Sequence, residues 1–248
     1  MSNSLIISLG LRCNSVLRKF GLRLARYPSP ADRRRRQLMR SREITTVVDI
    51  GANAGQYGLL LRRLGYTNRI ISYEPLPEAF ARLSATARAD PSWAVSQKAV
   101  GSAHGEVVMQ IARNSVSSSI LEMSPIHVKA APDSRVVGTI AVNCISLDEI
   151  LSDMDGESVM VKIDTQGYEQ SVLASGMNSI KLVSLFEIET SFVELYYGQA
   201  LFREIDAFMN KAGFKLSSLE EGFFDESSGE LLQCDAIYSR LSSESPIP

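Results

Sequence analysis

Val47-Val48-Asp49-Ile50-Gly51-Ala52-Asn53-Ala54-Gly55-Gln56-Tyr57-Gly58 carries an apolar strand into an acidic residue and then into a small-residue turn that opens a helix. Some twenty residues on, Arg69-Ile70-Ile71-Ser72-Tyr73-Glu74-Pro75 reads as a second short strand ending in a carboxylate. Strand, glycine turn, helix, strand, acid is the order in which an α/β sheet holds an adenine nucleoside.

Asn53 narrows the choice of nucleoside. A dinucleotide fingerprint G-x-G-x-x-G puts glycine in the middle, so that a pyrophosphate can approach the backbone. A side chain at that position crowds a pyrophosphate but can hydrogen-bond a compact ligand with an amino-acid tail. S-adenosylmethionine (SAM) has no phosphate, and its carboxylate can use the free N–H groups at the helix start near Gly55. Asp49 is expected to face the cofactor's ammonium or organise the turn, and Glu74 to take both ribose hydroxyls. Gly51, Asn53, Gly55, Tyr57 and Pro75 complete the expected cofactor contacts. Hydride transfer by a short-chain dehydrogenase would want Tyr-x-x-x-Lys, and none of the eight tyrosines has a lysine four residues on.

With 248 residues, 45% of them hydrophobic and 22% charged, the chain suits one soluble α/β domain with additions. Cys13, Cys144 and Cys234 are far apart and outside metal-ligand spacing, which fits thiols in a reducing, cytoplasmic setting. Charge is uneven. Residues 1–42 hold eleven Lys/Arg and one acid, Asp32, so this arm carries about +10 and the remainder about −12. The apolar run Leu5–Leu11 is too short for a membrane span and has the wrong polarity for a secretory signal. Val16, Leu17, Phe20 and Leu24 recur at helical spacing among Arg18, Lys19, Arg23 and Arg26. An amphipathic helix results, which covers the core, meets a second copy in a homodimer, or lies on an anionic inner membrane face as a peripheral contact. The run Arg33–Arg36 reads as a solvated helix face. An acidic body and the lack of interleaved aromatics argue against nucleic acid.

The expected organisation is a basic helical arm over 1–42, a catalytic domain over 43–240 and a flexible tail over 241–248. Strands are expected at 45–50, 69–74, 93–96, 158–164 and 182–188, with helices at 31–42, 55–64, 77–89, 147–152, 167–175 and 201–212 between them. Such alternation gives a doubly wound, mostly parallel sheet. Segments 106–112 and 136–145 read as an antiparallel β insertion, and 214–219 with 231–238 as a closing pair that makes one C-terminal strand antiparallel. The loop Asn114–Ser119 is the most serine-dense stretch, either a linker or a wall of hydroxyls over a polar ligand.

A second constellation, Lys162-Ile163-Asp164-Thr165-Gln166-Gly167-Tyr168-Glu169, falls at a strand end, where ligands bind in open α/β sheets. Lys162 and Asp164 share one strand face and can pair. Together with the turn at 48–57, Tyr73-Glu74-Pro75 and the serines at 117–119, this segment resembles the FkbM family of SAM-dependent methyltransferases over roughly residues 45–240. The resemblance implies a class I methyltransferase, Rossmann-like sheet of seven strands and O-methylation of a hydroxyl. It also implies acceptors among the sugars of glycolipids and polysaccharides or polyketide natural products. A deoxysugar on a lipid-linked glycan is the acceptor preferred here, by analogy.

A sugar hydroxyl needs a base, for which Asp164 is the first candidate, Lys162 its partner and His127 the runner-up. Ser117, Ser118, Ser119, Glu169, Glu187 and Glu189 are the expected acceptor-binding residues. Glu187 and Glu189, two apart, could instead join Asp164 around a divalent metal, but no tight acidic cluster favours one. Two competing readings stand beside this one: a non-enzymatic nucleoside-binding scaffold of a glycolipid pathway, and an NAD-linked oxidoreductase.

Overall fold

A computed structural model describes residues 14, 17–22, 24, 27–102 and 104–241. Among the described residues the strands are β1 (Thr46–Ile50), β2 (Arg69–Tyr73), β3 (Trp93–Ser96), β4 (Ala99–Val100), β5 (Gly105–Ala112), β6 (Val136–Ile145), β7 (Val159–Ile163), β8 (Val183–Ser191), β9 (Phe214–Glu221) and β10 (Gln233–Arg240). Seven of them form one sheet in the order β3-β2-β1-β7-β8-β10-β9. Pairings β2/β3, β1/β2, β1/β7 and β7/β8 are parallel, while β10 runs antiparallel to both β8 and β9. This is the doubly wound sheet with an antiparallel C-terminal strand that the sequence predicts.

β1 (TVVDI) and β7 (VMVKI) are buried at every residue because helices cover both faces of the sheet. On one face, Val48, Ile50, Val161, Ile163 and Phe186 pack under Leu151, Leu173 and Met209. On the other, Val47, Ile70, Met160 and Leu185 pack with Met39, Leu61, Leu83 and Trp93. The helix starts follow local chemistry. Pro77 and Pro125 sit in first turns, and Ser146 forms a capping box with Glu149 ahead of Leu147–Leu151.

The insertion is a separate three-stranded sheet, β4-β6-β5, with β5 and β6 antiparallel as expected. It also contains the helix Pro125–Ala130 and the 3-10 turn Pro132–Ser134, which the polar, proline-broken sequence hides.

The chain divides into compact units Met1–Arg34 and Arg35–Pro248. In the first unit a 3-10 turn, Arg18–Phe20, stands within the amphipathic segment. Val16, Arg23 and Arg26 of that segment lie outside the described residues, as do Leu5–Leu11, Cys13 and residues 242–248 of the expected tail. Cys144 and Cys234 are buried free thiols. No helix among the described residues is long and apolar enough to cross a membrane.

Candidate active site

Parallel register sets Ser72, Asp49, Lys162 and Glu187 side by side across β2, β1, β7 and β8. Residues in register share a face, so a polar row crosses an otherwise apolar layer. Trp93 Nε1–H donates to Ser72 Oγ at 3.0 Å, and Ser72 Oγ–H donates to Asp49 Oδ2 at 3.0 Å. Asp49 is 1% exposed, and its Oδ1 is buried with no partner. Burial pushes this carboxyl up to about 6, against the pull of Lys162 and the Ser72 bond. Lys162 Nζ donates to Asp164 Oδ2 at 2.9 Å. Burial opposes the lysine's charge, but Asp164, Asp235, Asp49 and Glu187 outweigh it and raise the ammonium's pKa.

The row ends in a buried ion pair. Arg35 Nε and Nη2 donate to the two oxygens of Glu187, each at 2.8 Å, with side chains 4% and 1% exposed. Arg35 is therefore a buried strut and not part of a solvated face. Its spacing from Met39, one helical turn on and also buried, is the sequence signal for it. Tyr57 donates its hydroxyl to Glu187 at 2.8 Å. Tyr57 thus points to β8 rather than into the cofactor turn, and Glu187 spends both oxygens on protein donors rather than on an acceptor.

The donor turn closes by backbone geometry. Gly51 and Ala52 N–H both reach the Tyr73 carbonyl at 3.0 Å, and Asp164 N–H reaches the Ile50 carbonyl at 3.0 Å. Gly51 has φ +81°, and a Cβ there would collide with the Asp164 carbonyl oxygen, so only glycine fits. Asn53, at φ +46°, donates its N–H to Glu74 Oε2 at 2.9 Å, and Leu76 N–H reaches Glu74 Oε1 at 2.8 Å. Burial lifts Glu74 to about 7, against those two bonds. Gly55 caps the helix Gln56–Arg63 without a side chain, which leaves N–H groups at its start. Pro75 follows Glu74 and accepts from Gln97 Nε2 at 3.4 Å. Asp49, Gly51, Asn53, Gly55 and Glu74 are thereby gathered in one turn.

At the end of β7, Asp164 is the more open partner, with 30% of its side chain exposed against 9% for Lys162. Gln166, which sequence reasoning passed over, organises its surroundings. Its Nε2 donates to Asp164 Oδ1 at 2.8 Å and to Glu189 Oε2 at 2.7 Å, and its Oε1 lies 2.9 Å from the Tyr196 hydroxyl. A φ of +55° turns Gln166 this way, and nothing in the sequence announces it.

Other expected acceptor-binding residues are turned inward. Glu169 is 5% exposed and accepts N–H groups from Thr165 (2.9 Å) and Gly167 (3.1 Å), so it ties its own loop. Burial raises it to about 7. Ser117, Ser118 and Ser119 are buried. Ser117 Oγ accepts from Asn114, Ser118 Oγ accepts the Ala112 N–H, and Ser119 Oγ–H donates to the Gln166 carbonyl. They brace the site rather than line it; Ser115 is the serine that Asn53 Nδ2 reaches, at 3.4 Å. His127 is 3% exposed, edge-on to Tyr196 at 5.1 Å and tilted on Phe223 at 5.6 Å, with Nδ1 unpartnered. Burial lowers it to about 4, so near neutrality it is an uncharged ring in an aromatic cluster behind Tyr196. Among the described residues, no three His, Cys, Asp or Glu side chains are grouped to hold a metal ion.

The methyltransferase FkbM domain matches residues 49–216, which span both strand-end constellations. No curated protein matches the chain. Among solved structures, the fold is similar to the human methyltransferase 10 domain containing protein (10% identity, 94% of this chain and 96% of that one, TM-score 0.45). It is also similar to magnesium protoporphyrin IX methyltransferase from Synechocystis PCC 6803, solved with bound SAM (9% identity, 85% and 81%, TM-score 0.43). A third likeness is to precorrin-6y C5,15-methyltransferase from Geobacter metallireducens GS-15 (11% identity, 84% and 87%, TM-score 0.43).

Proposed function

The chain belongs to the FkbM methyltransferase family, and from that premise we propose that it methylates a hydroxyl oxygen with SAM as donor and Asp164 as base. The preferred acceptor is a sugar of a glycolipid or polysaccharide. One observation carries the reading. Asp164 is partly exposed at the carboxyl edge of the sheet, held on one oxygen by Lys162 and on the other by Gln166, and its backbone is bonded to the donor turn. Base and donor cradle are therefore one rigid part.

The residues fit SAM. Asp49 Oδ1 is an orphaned acceptor beneath the turn, which an ammonium can satisfy. Glu74 keeps lone pairs for ribose hydroxyls after accepting two backbone N–H groups. The uncapped helix start at Gly55 suits a carboxylate. Bound there, SAM supplies an activated sulfonium methyl. The protein's share is to align the acceptor oxygen and take its proton. Positioning contributes up to about 7–11 kcal/mol in favourable cases, and a placed base about 10²–10⁴-fold. Lys162 holds one oxygen of Asp164, and Gln166 holds the other and fixes the plane of its carboxylate.

The reading is tested in two steps. Calorimetry should detect SAM and its demethylated product at sub-millimolar concentration; no heat for either would sink it. Mass spectrometry of glycans from cells with and without the gene should then show the loss of one CH₂ increment.

A further inference from the structure

Glu189 Oε2 lies 2.7 Å from Gln166 Nε2 and 2.8 Å from Gln233 Nε2. Each amide gives it one proton, so both lone pairs of Oε2 are occupied. Gln166 Oε1 lies 2.9 Å from the Tyr196 hydroxyl, which is also 2.9 Å from the Ser117 carbonyl, while Gln166 Nε2 donates to both Glu189 and Asp164 Oδ1. Gln166 Nε2 thus bridges the two carboxyls, 2.8 Å from Asp164 Oδ1 and 2.7 Å from Glu189 Oε2. The other oxygen, Glu189 Oε1, has no protein partner among the described residues and is not sealed from solvent.

Glu189 has poor electrostatic company. Asp164 and Glu169 face it from the β7 end, and Asp235 stands opposite it on β10. Lys162 pulls the other way, and it is bonded to Asp164. Burial and these carboxylates hold Glu189 well above the usual carboxylate range. With Oε2 saturated by donors, its proton belongs on Oε1.

We propose that Glu189 acts as a neutral carboxylic acid whose Oε1–H binds the oxygen next to the one Asp164 deprotonates, so that the site selects acceptors with adjacent oxygens, above all vicinal diols. This rests on the methyltransferase reading above. Two gauche oxygens on neighbouring carbons are roughly 3 Å apart, which lets one meet each carboxyl. The reacting hydroxyl gives its proton to Asp164, and Glu189 keeps its own throughout. A carboxylate at 189 would instead add a second negative charge beside the base and offer the diol no donor.

The test uses full-length protein, methyl-labelled SAM, and a carbohydrate extract from host cells lacking the gene, which holds unmethylated acceptor. Wild-type transfer should fall at alkaline pH as Glu189 ionises. Glu189→Gln, which keeps a donor at every pH, should show a pH profile without that alkaline limb, whatever its absolute rate. Glu189→Leu should raise the acceptor KM about 10- to 100-fold with SAM binding unchanged. Periodate, which cleaves vicinal diols, should destroy the extract's acceptor capacity. An alkaline limb that persists in Glu189→Gln, or undiminished transfer to periodate-treated extract, overturns the proposal alone. No transfer to untreated extract by the wild type overturns the methyltransferase reading and this proposal with it.

Discussion

Replacing Arg35 by Met tests whether the basic helix is a strut of the body. The guanidinium and the Glu187 carboxylate are 4% and 1% exposed and joined by two bonds of 2.8 Å. Removing the cation leaves Glu187 buried with only the Tyr57 hydroxyl as donor. Breaking a buried pair from one side costs about 3–5 kcal/mol, mostly the penalty of the abandoned charge. Removing both charges, in Arg35→Met with Glu187→Met, takes that penalty away. What remains is the Tyr57 hydroxyl without an acceptor, about 1–3 kcal/mol, and the lost 2.8 Å bond from Arg35 Nη2 to Glu220. Equilibrium urea unfolding reads both variants. At a slope of about 3 kcal/mol per molar, the single variant should lose about 1–1.7 M of midpoint, and the double variant should recover part of it. A single variant within about 0.5 kcal/mol of wild type would refute the reasoning, because the pair would then behave like an exposed one.

Four further outcomes follow from the same geometry. Asp164→Asn should lower kcat about 10²–10⁴-fold while SAM binding by calorimetry stays as in wild type; unchanged kcat would move the base elsewhere. Burial holds Glu74 protonated up to about 7, so SAM affinity should rise from about pH 6 to about pH 8 as the carboxylate becomes free to accept ribose hydroxyls. Glu74→Gln should bind with no such slope, and a slope in that variant would assign it to another group. The same residue's contribution to stability has the opposite sense: it is complete below the unfolded carboxyl value and lost as pH rises through about 7. Gly51→Ala should unfold at clearly lower temperature than wild type by calorimetric scan, since the turn must open away from Asp164; an unchanged melting temperature would deny the contact. Full-length protein should bind anionic phosphatidylglycerol vesicles in a salt-sensitive way through its arm, and a chain lacking residues 1–29, which keeps Arg35, should not; equal binding by both would defeat the membrane reading.

The donor turn was legible because its information is local. A strand, an acid and two glycines in sequence dictate a tight turn wherever they fold, and Glu74 follows on the next strand. Lys162 and Asp164 were legible for the same reason, two residues apart on one strand. What escaped depends on register and on distant chain. Arg35 meets Glu187 across 152 residues, and nothing local tells a paired arginine from its solvated neighbours except its place in line with Met39. Gln166 became the hub of the site through a left-handed backbone that any polar residue before a glycine could adopt. The serines at 117–119 have the right chemistry for a ligand wall, but the loop's own N–H and carbonyl groups needed partners first. His127 illustrates the same competition: a titratable ring in the insertion became packing for Tyr196.

Trp93 is the only tryptophan in the chain, and its indole N–H is bonded to the hydroxyl that holds Asp49. Its ring lies where a Cβ on Gly55 or Gly58 would touch it. The molecule therefore carries a single indole fluorophore, bonded to the floor of its own donor turn. Excited at wavelengths the tyrosines do not absorb, its emission reports the state of that turn, so ligand occupancy can be followed in solution without a label, a coupled enzyme or any knowledge of the acceptor.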